Sequence, residues 1–280
     1  MRLFIAILGS IFISLQLHAQ KQSLLYKVSG NGLKKPSYVY GTIHMICEDD
    51  FFLMDELTVA MNKVKALYLE IDISDSVAMS AAIMKMIDPT VSDLYDEMED
   101  DIKDEISRYL MEMGMNFETI RLFKPFMVSM MLTQSLYSCN IKSYEVELMA
   151  MAAEGGIPVK ALETVEQQMA IFDSIPVEQQ FQDLKEMVMN MPEAGEELRA
   201  MVKFYTEMNL EGLMKMMDEH TLMQFDDFIL TRRNQAWIPI MEKQMRKEPA
   251  LFAVGAAHLL GDQGVITLLK ERGFKVQPVL

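Results

Sequence analysis

The sequence predicts an α/β fold in which a central, mostly parallel or mixed sheet carries large helical insertions. Several short apolar runs are nearly continuous rather than alternating, which is typical of strands covered on both faces. The stretches between them, 75–153 and 165–247, are rich in Met, Leu, Ala, Glu and Lys at helical spacing and poor in glycine. Short strands separated by long helical segments indicate this fold class.

The predicted strands lie near both ends of the chain and in its middle. The first two flank the turn-rich segment NGLKKP, which indicates a hairpin. The six runs are SLLYKVSG (23–30), SYVYGTIH (37–44), KVKALYLEID (63–72), IPVKALE (157–163), ALFAVGAAH (250–258) and GFKVQPVL (273–280).

Three helices have recognisable starts or ends. One begins or breaks near Pro125, and another is expected after Thr164, with Thr164 as N-cap and Gln167 completing a capping box. A third begins near Gly261 and is followed by Gly273, a residue typical of the position after a helix.

Residues 1–19 have the pattern of a secretory signal peptide. One positive charge, Arg2, precedes an apolar run from Leu3 to Leu17 and a small residue at Ala19. The run is short for a membrane span, although a retained N-terminal anchor is the alternative. We therefore expect an exported protein, periplasmic or secreted, with residues 20–280 as a single domain and no transmembrane helix in the mature chain.

The charge of the chain argues against a nucleic-acid partner. The formal net charge is −15, and removal of Arg2 with the leader would change it to −16. Phosphate backbones would be repelled by such a surface. Peptides and small molecules remain as possible ligands, and the oligomeric state stays open.

Two cysteines remain after the leader, Cys47 and Cys139. Export would place them where disulfides form, so a Cys47–Cys139 bridge is one hypothesis. Two buried thiols are another, and a thiolate ligand at Cys47 near a metal is a third. The sequence does not supply the Cα separation that would choose among them.

The candidate chemistry lies where the apolar runs end. Four of these runs end in an imidazole or a carboxylate: His44, Glu70, Glu163 and His258. Ligands of parallel α/β sheets bind beyond the carboxyl ends of the strands, so these side chains could converge on one place. Two histidines and two carboxylates suit a divalent transition-metal ion, which we expect to be Mn, Co or Zn.

Each candidate residue also has a structural interpretation. A lone buried histidine is more often a hydrogen-bonded core residue than a ligand, and Glu70 could pair with a lysine. Glu163 could simply precede a helix. Arg233 could hold a carboxylate or stabilise an oxyanion, but spacing alone favours an exposed basic pair with Arg232.

The remaining histidines carry no predicted role. His18 lies in the leader, and His220 lies in a helical context that indicates a surface or structural residue.

The chain resembles the TraB/GumN family, which includes the Tiki metalloproteases, and is more distantly similar to erythromycin-esterase and ChaN-like folds. The matching blocks are YGTIHM, LYLEID, VKALETVEQQ, RRNQAW and VGAAHLLGDQGVITLLKERGFKVQPV. In the Tiki branch, two Gly-x-x-His motifs and a glutamate are linked to metal-dependent peptide cleavage. Those residues correspond here to His44, His258 and Glu70, and the resemblance also covers Glu163 and Arg233.

One stretch departs from the family pattern. The family often has Gly-x-Asp where this chain has KSYEVELMAMAAEGG, with Tyr144 and Glu145 at the corresponding point. No role is therefore assigned to an acid at that position.

The sequence leads to three functional hypotheses. The first is an exported metal-dependent hydrolase of the peptidase kind, in which His44, His258, Glu70 and Glu163 bind the ion, Glu70 activates water and Arg233 stabilises the oxyanion. The second is a non-enzymatic protein that binds haem, a metal ion or a peptide. The third is a helical interaction protein with structural histidines.

Overall fold

A computed structural model describes residues 22–111, 113–218 and 227–280. The leader, His18 and His220 therefore lie outside the described residues. The strands are β1 Leu25–Ser29, β2 Ser37–Thr42, β3 Ile46–Cys47, β4 Leu67–Leu69, β5 Ile141–Lys142, β6 Val159–Ala161, β7 Leu251–Gly255 and β8 Lys275–Pro278.

Helices fill the long intervals between these strands. In chain order they are α1 Asp55–Met61, α2 Ser76–Lys85, α3 Ser92–Asp96, α4 Asp100–Met111, α5 Phe117–Ile120, α6 Pro125–Ser135, α7 Tyr144–Glu154, α8 Val165–Asp173, α9 Val177–Met189, α10 Met191–Thr206, α11 Leu210–Asp218, α12 Arg232–Lys247 and α13 Val265–Glu271. A π-helical turn, Asp227–Thr231, leads directly into α12.

The central sheet is mixed, with the strand order β6-β4-β7-β2-β1-β8. β6, β4, β7 and β2 are parallel, whereas β1 is antiparallel to both β2 and β8. This confirms the predicted α/β fold and the hairpin around NGLKKP. The carboxyl ends of four parallel strands consequently lie along one edge of the sheet.

The apolar character of the central strands follows from their burial. Every residue of β2 and of β4 is buried, as are the first four residues of β7. Helices cover the sheet, so a polar residue within these strands would lose its hydration without a partner. Polar side chains can therefore begin only at the residues that follow the buried parts of these strands.

The helix ends agree with the sequence in three places and differ in one. α6 begins with Pro125 in its first turn, and Thr164 and Gln167 form the predicted capping box of α8. Gly273 follows α13 with φ +85°, a conformation that glycine adopts without steric cost. However, α13 begins at Val265 rather than near Gly261, because residues Ala256–Leu259 form a separate 3₁₀ turn.

Two clusters of buried apolar side chains stabilise the described chain. The larger one surrounds the sheet and includes Trp237 of α12 and Tyr144 of α7. The smaller one joins helices of the two insertions, with Tyr95, Ile106 and Leu184 in its interior. Among the described residues, no helix has the length and apolarity needed to cross a membrane.

A disulfide joins Cys47 and Cys139, with a Cα separation of 5.6 Å. Of the three hypotheses for these residues, the bridge is therefore the one that the structure supports. The alternatives of two buried thiols and of a Cys47 thiolate ligand are wrong, because both sulfur atoms are bonded to each other.

Candidate functional site

Polar side chains from four parallel strand ends meet above β4 and β7. Glu70 follows β4, Glu163 follows β6 by two residues, and His258 lies in the turn after β7. Arg233, from the first turn of α12, contacts all three. His44, beyond the end of β2, lies beside them, so the structure brings together all five residues that the sequence singled out.

Glu70 is the buried carboxylate at the centre of the cluster, with a side chain only 6% exposed. Its Oε1 accepts the Gly255 backbone N–H at 2.7 Å, and its Oε2 accepts bonds from Arg233 and from the Gln168 amide at 3.1 Å. Burial opposes its ionisation, but His258 when it is protonated, the charges of Arg233 and His44, and the Gly255 N–H lower the pKa of Glu70 to about 2. Glu70 is therefore an anion at neutral pH.

Arg233 forms ion pairs with two carboxylates at once. Its Nε and Nη2 donate to Glu163 Oε1 at 3.0 and 2.6 Å, and Nη2 also donates to Glu70. Nη1 donates to the Ile229 carbonyl oxygen at 3.1 Å and to His258 Nε2 at 3.0 Å. Since this side chain is 11% exposed, the interpretation of Arg233 as part of an exposed basic pair is wrong.

Glu163 serves as the outer partner of Arg233. Its Oε2 accepts the Trp237 indole N–H at 3.3 Å, and the guanidinium of Arg233 lies 4.7 Å from the Trp237 ring centre. Arg233 and Trp237 are one helical turn apart on α12, so they present the same face to the site. Burial is the main reason that the pKa of Glu163 is raised, although Arg233 opposes it.

His258 is held in one tautomer by its neighbours. Asn234 donates its amide nitrogen to the Gln263 carbonyl oxygen at 2.9 Å, so its Oδ1 is the atom that faces His258 Nδ1 at 2.7 Å. Nδ1 must therefore carry the proton, and Nε2 has the lone pair, which accepts from Arg233. Burial lowers the pKa of His258 to about 3; the charge of Glu70 opposes this shift, whereas the charges of Arg233 and His44 add to it, so the ring is neutral near pH 7.

His44 is held by an acid that the sequence did not assign. Its Nδ1 lies 3.1 Å from Glu145 Oε1, which also accepts the Thr42 hydroxyl at 2.8 Å, while Ser143 donates to Oε2 at 2.9 Å. Desolvation lowers the pKa of His44, but the bond to Glu145 and the charges of Glu145 and Glu70 raise it to about 9. The other side of the ring is open, and the side chain is 64% exposed.

The missing side chain of Gly255 leaves a small space between the candidate ligands. A Cβ at this position would lie 3.4 Å from Glu70 Oε1, 3.6 Å from His258 Cδ2 and 3.9 Å from His44 Nε2. Two imidazoles and a carboxylate are typical ligands of a divalent metal ion. In such sites the Nδ1 atom of each imidazole is typically hydrogen-bonded to an oxygen atom, as it is here. The donor chemistry around Gly255 therefore fits such an ion.

These donors are not arranged as a ready-made metal site. Within residues 22–111, 113–218 and 227–280, no group of three or more His, Cys, Asp or Glu side chains is arranged closely enough to hold a metal ion. His258 Nε2 and Glu70 Oε1 are 3.7 Å apart, and Arg233 is bonded to both residues. An ion that binds to His258 and Glu70 must displace at least one of these bonds from Arg233.

Three residues of the site were missed by sequence reasoning. Glu145, Gln168 and Asn234 each lie in the first turns of a helix and contact His44, the two glutamates and His258, respectively. Asn234 lies within the RRNQAW block, and Glu145 lies where the family often has an aspartate. These two positions were the available signals, whereas Gln168 follows the capping box without a signal of its own.

The ionisation of His258 predicts a specific acid sensitivity. Below pH 6.5 the unfolded chain binds a proton at this imidazole, whereas the folded protein does not until the pH reaches about 3. The free energy of unfolding must therefore decrease as the pH is lowered from 6.5 to about 3, by at most about 1.4 kcal/mol per pH unit. We expect denaturant unfolding of the wild type to show this extra slope relative to His258→Gln, and parallel curves would contradict the neutral buried imidazole.

Residues 24–278 match the family model described as the TraB/PrgY/gumN family. The matched region runs from the residue before β1 to the end of β8 and contains every residue of the site. No curated protein and no solved structure matches the chain. Because the matched region spans nearly the whole chain, this protein belongs to the TraB/PrgY/gumN family.

Proposed function

We propose that the protein is an exported metal-dependent hydrolase that acts on peptides. The observation that carries this proposal is the orientation of His44 and His258. The Nδ1 atom of each ring lies against a side-chain oxygen, and both rings border the space at Gly255 beside Glu70. Peptides are the substrate class that the resemblance to the Tiki branch implies.

In this proposal His44, His258 and Glu70 would hold a divalent ion, Mn, Co or Zn. Such an ion polarises a carbonyl group and lowers the pKa of water toward neutrality. Glu163 is the fourth ligand predicted from the sequence, but its contacts to Arg233, Trp237 and Gln168 favour a different role. We assign Glu163 to the positioning of Arg233.

Arg233 and Glu70 divide the remaining chemistry between them. All three nitrogens of the Arg233 guanidinium donate to acceptors around the site, so a small rotation can direct an N–H group to a developing oxyanion. When Arg233 turns to the substrate, it no longer lowers the pKa of Glu70 as strongly. Glu70 then becomes a better proton acceptor for an attacking water.

Two further observations support export. The disulfide Cys47–Cys139 is typical of proteins that fold in an oxidising compartment. The pattern of residues 1–19 indicates the same destination.

Elemental analysis of the purified protein tests the metal site first. We expect nearly one divalent ion per chain in the wild type after incubation with Mn, Co or Zn, and none in His44→Ala/His258→Ala. A second test variant is Gly255→Ala, which keeps all donor residues. Its added methyl group makes ordinary contacts of 3.4 Å or more, so we expect the protein to fold, but the methyl group fills the space between the donors. Gly255→Ala should therefore also lose the ion.

A protein that takes up no ion under any of these conditions contradicts the proposal. Metal uptake without cleavage of any peptide in a substrate screen contradicts the hydrolase assignment and favours a binding protein. A Soret band on addition of haem, absent in the double histidine variant, would instead support the haem-binding alternative.

A further inference from the structure

The segment that carries His44 is attached to the fold at both ends. At one end it continues β2, whose residues are all buried. At the other end it enters β3, where Ile46 is fully buried in the larger hydrophobic cluster and the strand pairs with the two residues of β5, as Ile46 with Lys142 and Cys47 with Ile141. A two-stranded ribbon of this length is marginally stable by itself.

The Cys47–Cys139 disulfide reinforces this ribbon. It links positions that are 92 residues apart in sequence, directly beside the paired residues. Two hydrogen bonds accompany it: Glu48 N–H donates to the Asn140 carbonyl at 2.8 Å, and the Tyr137 hydroxyl donates to the Met45 carbonyl at 2.9 Å. Both cysteines are only half-buried, so a reductant can reach the bridge.

Glu145 is also held by contacts outside the paired residues of this ribbon. It follows Tyr144, whose fully buried ring packs against Phe51 and whose hydroxyl donates to the Phe52 carbonyl at 2.7 Å. Thr42, at the end of β2, also donates to Glu145. The carboxylate therefore stays in place, and the contact to His44 depends on the placement of the His44 segment.

We propose that Glu145 is the positioning residue of His44 and that the Cys47–Cys139 disulfide keeps His44 within its reach, so that reduction of the disulfide releases His44 while both hydrophobic clusters stay folded. The consequence for metal binding rests on the proposed function, but the contact itself does not. Outer partners of ligating histidines typically change metal affinity by about 10- to 100-fold, and we expect a loss of that size.

The redox step is a thiol–disulfide exchange with a dithiol reductant. The reductant supplies two electrons and two protons, the bond between the two sulfur atoms breaks, and Cys47 and Cys139 become thiols. The reductant ends as its own disulfide.

His258 provides an internal reference for the experiment. Its partner Asn234 lies on α12, and Asn234 is held by the Gln263 carbonyl, so both lie far in sequence from the ribbon. Reduction of the disulfide should leave the bond between His258 Nδ1 and Asn234 unchanged.

The test uses the full chain labelled with ¹⁵N-histidine. We expect the His44 Nδ1 resonance to show a hydrogen bond in the oxidised wild type and to lose it after treatment with dithiothreitol, in Cys47→Ser/Cys139→Ser and in Glu145→Gln. The His258 resonance should not change. Ile106→Ala, which destabilises the separate helical cluster through a cavity at a fully buried position, controls for a general loss of stability and should keep the His44 bond.

Cobalt affinity provides the second readout. We expect reduction to weaken binding by about 10- to 100-fold in the wild type and to add little in Glu145→Gln, where the contact is already lost. A His44 resonance that is unchanged by reduction overturns the proposal. A wild-type protein that takes up none of Mn, Co and Zn contradicts the proposed function instead, and the nitrogen resonance of His44 then decides the positioning role alone.

Discussion

Replacing Arg233 by alanine is expected to lower the free energy of unfolding by about 3–5 kcal/mol. Glu70 and Glu163 both depend on this guanidinium, and their side chains are only 6% and 9% exposed. Without Arg233, two buried carboxylates would face each other with Gln168 as their common polar neighbour. We expect the pKa of Glu70 to rise for the same reason, because Arg233 is among the charges that lower it.

Urea unfolding of matched variants checks this expectation. The control is Arg246→Ala on the same helix, because Arg246 is exposed and should cost less than about 1 kcal/mol. The combined variant Arg233→Met/Glu70→Gln/Glu163→Gln should recover much of the lost stability, since no unpaired buried charge remains. If Arg233→Ala were as stable as Arg246→Ala, the two buried carboxylates would not depend on Arg233 for their stability, and the prediction would be wrong.

The strand ends could be predicted from sequence because burial leaves a simple pattern. Strands covered by helices on both faces must be apolar along their length, so the first polar residue after each run marks the sheet edge. Glu70 and His258 were found this way, and parallel pairing of β4 with β7 explains why they meet. The same reasoning found His44, because β2 is parallel to β7 on its other side.

The site residues that lie on helices could not be predicted in the same way. Spacing favoured an exposed Arg232–Arg233 pair, because helical periodicity does not tell which face of a helix meets the sheet. The tryptophan one turn after Arg233 was the local signal for a buried face, as the bond between Trp237 and Glu163 explains. Glu145 and Gln168 lie more than 95 residues from their partners His44 and Glu70, so only tertiary structure reveals these contacts.

The two histidines occur in the same sequence motif but have different hydrogen-bond partners at Nδ1. Gly-x-x-His occurs twice, yet His258 is buried beside a neutral amide and His44 is exposed beside a carboxylate. The first ring is neutral, and the second has a raised pKa. Binding of an ion at His44 would therefore compete with protonation of the ring, whereas binding at His258 would compete with the hydrogen bond from Arg233.

Replacing Glu70 by glutamine is expected to have the largest effect on catalysis. The substitution preserves the size of the side chain, and an amide oxygen can still accept the Gly255 N–H. It removes the negative charge that faces the space at Gly255 and the group proposed to accept a proton, a role worth about 10²- to 10⁴-fold in rate. We therefore expect kcat/KM for a peptide substrate to fall by at least about 10²-fold, together with metal uptake.

Glu163→Gln distinguishes this role from a general effect of losing charge. Both glutamates pair with Arg233, but only Glu70 borders the space at Gly255. Glu163→Gln should therefore retain the ion and lose activity mainly through a less well positioned Arg233, by about 10-fold, since a displaced oxyanion donor is weakened but not removed. Equal losses in both variants would show that the two carboxylates act only through Arg233, and the assignment of Glu70 as ligand and proton acceptor would then be wrong.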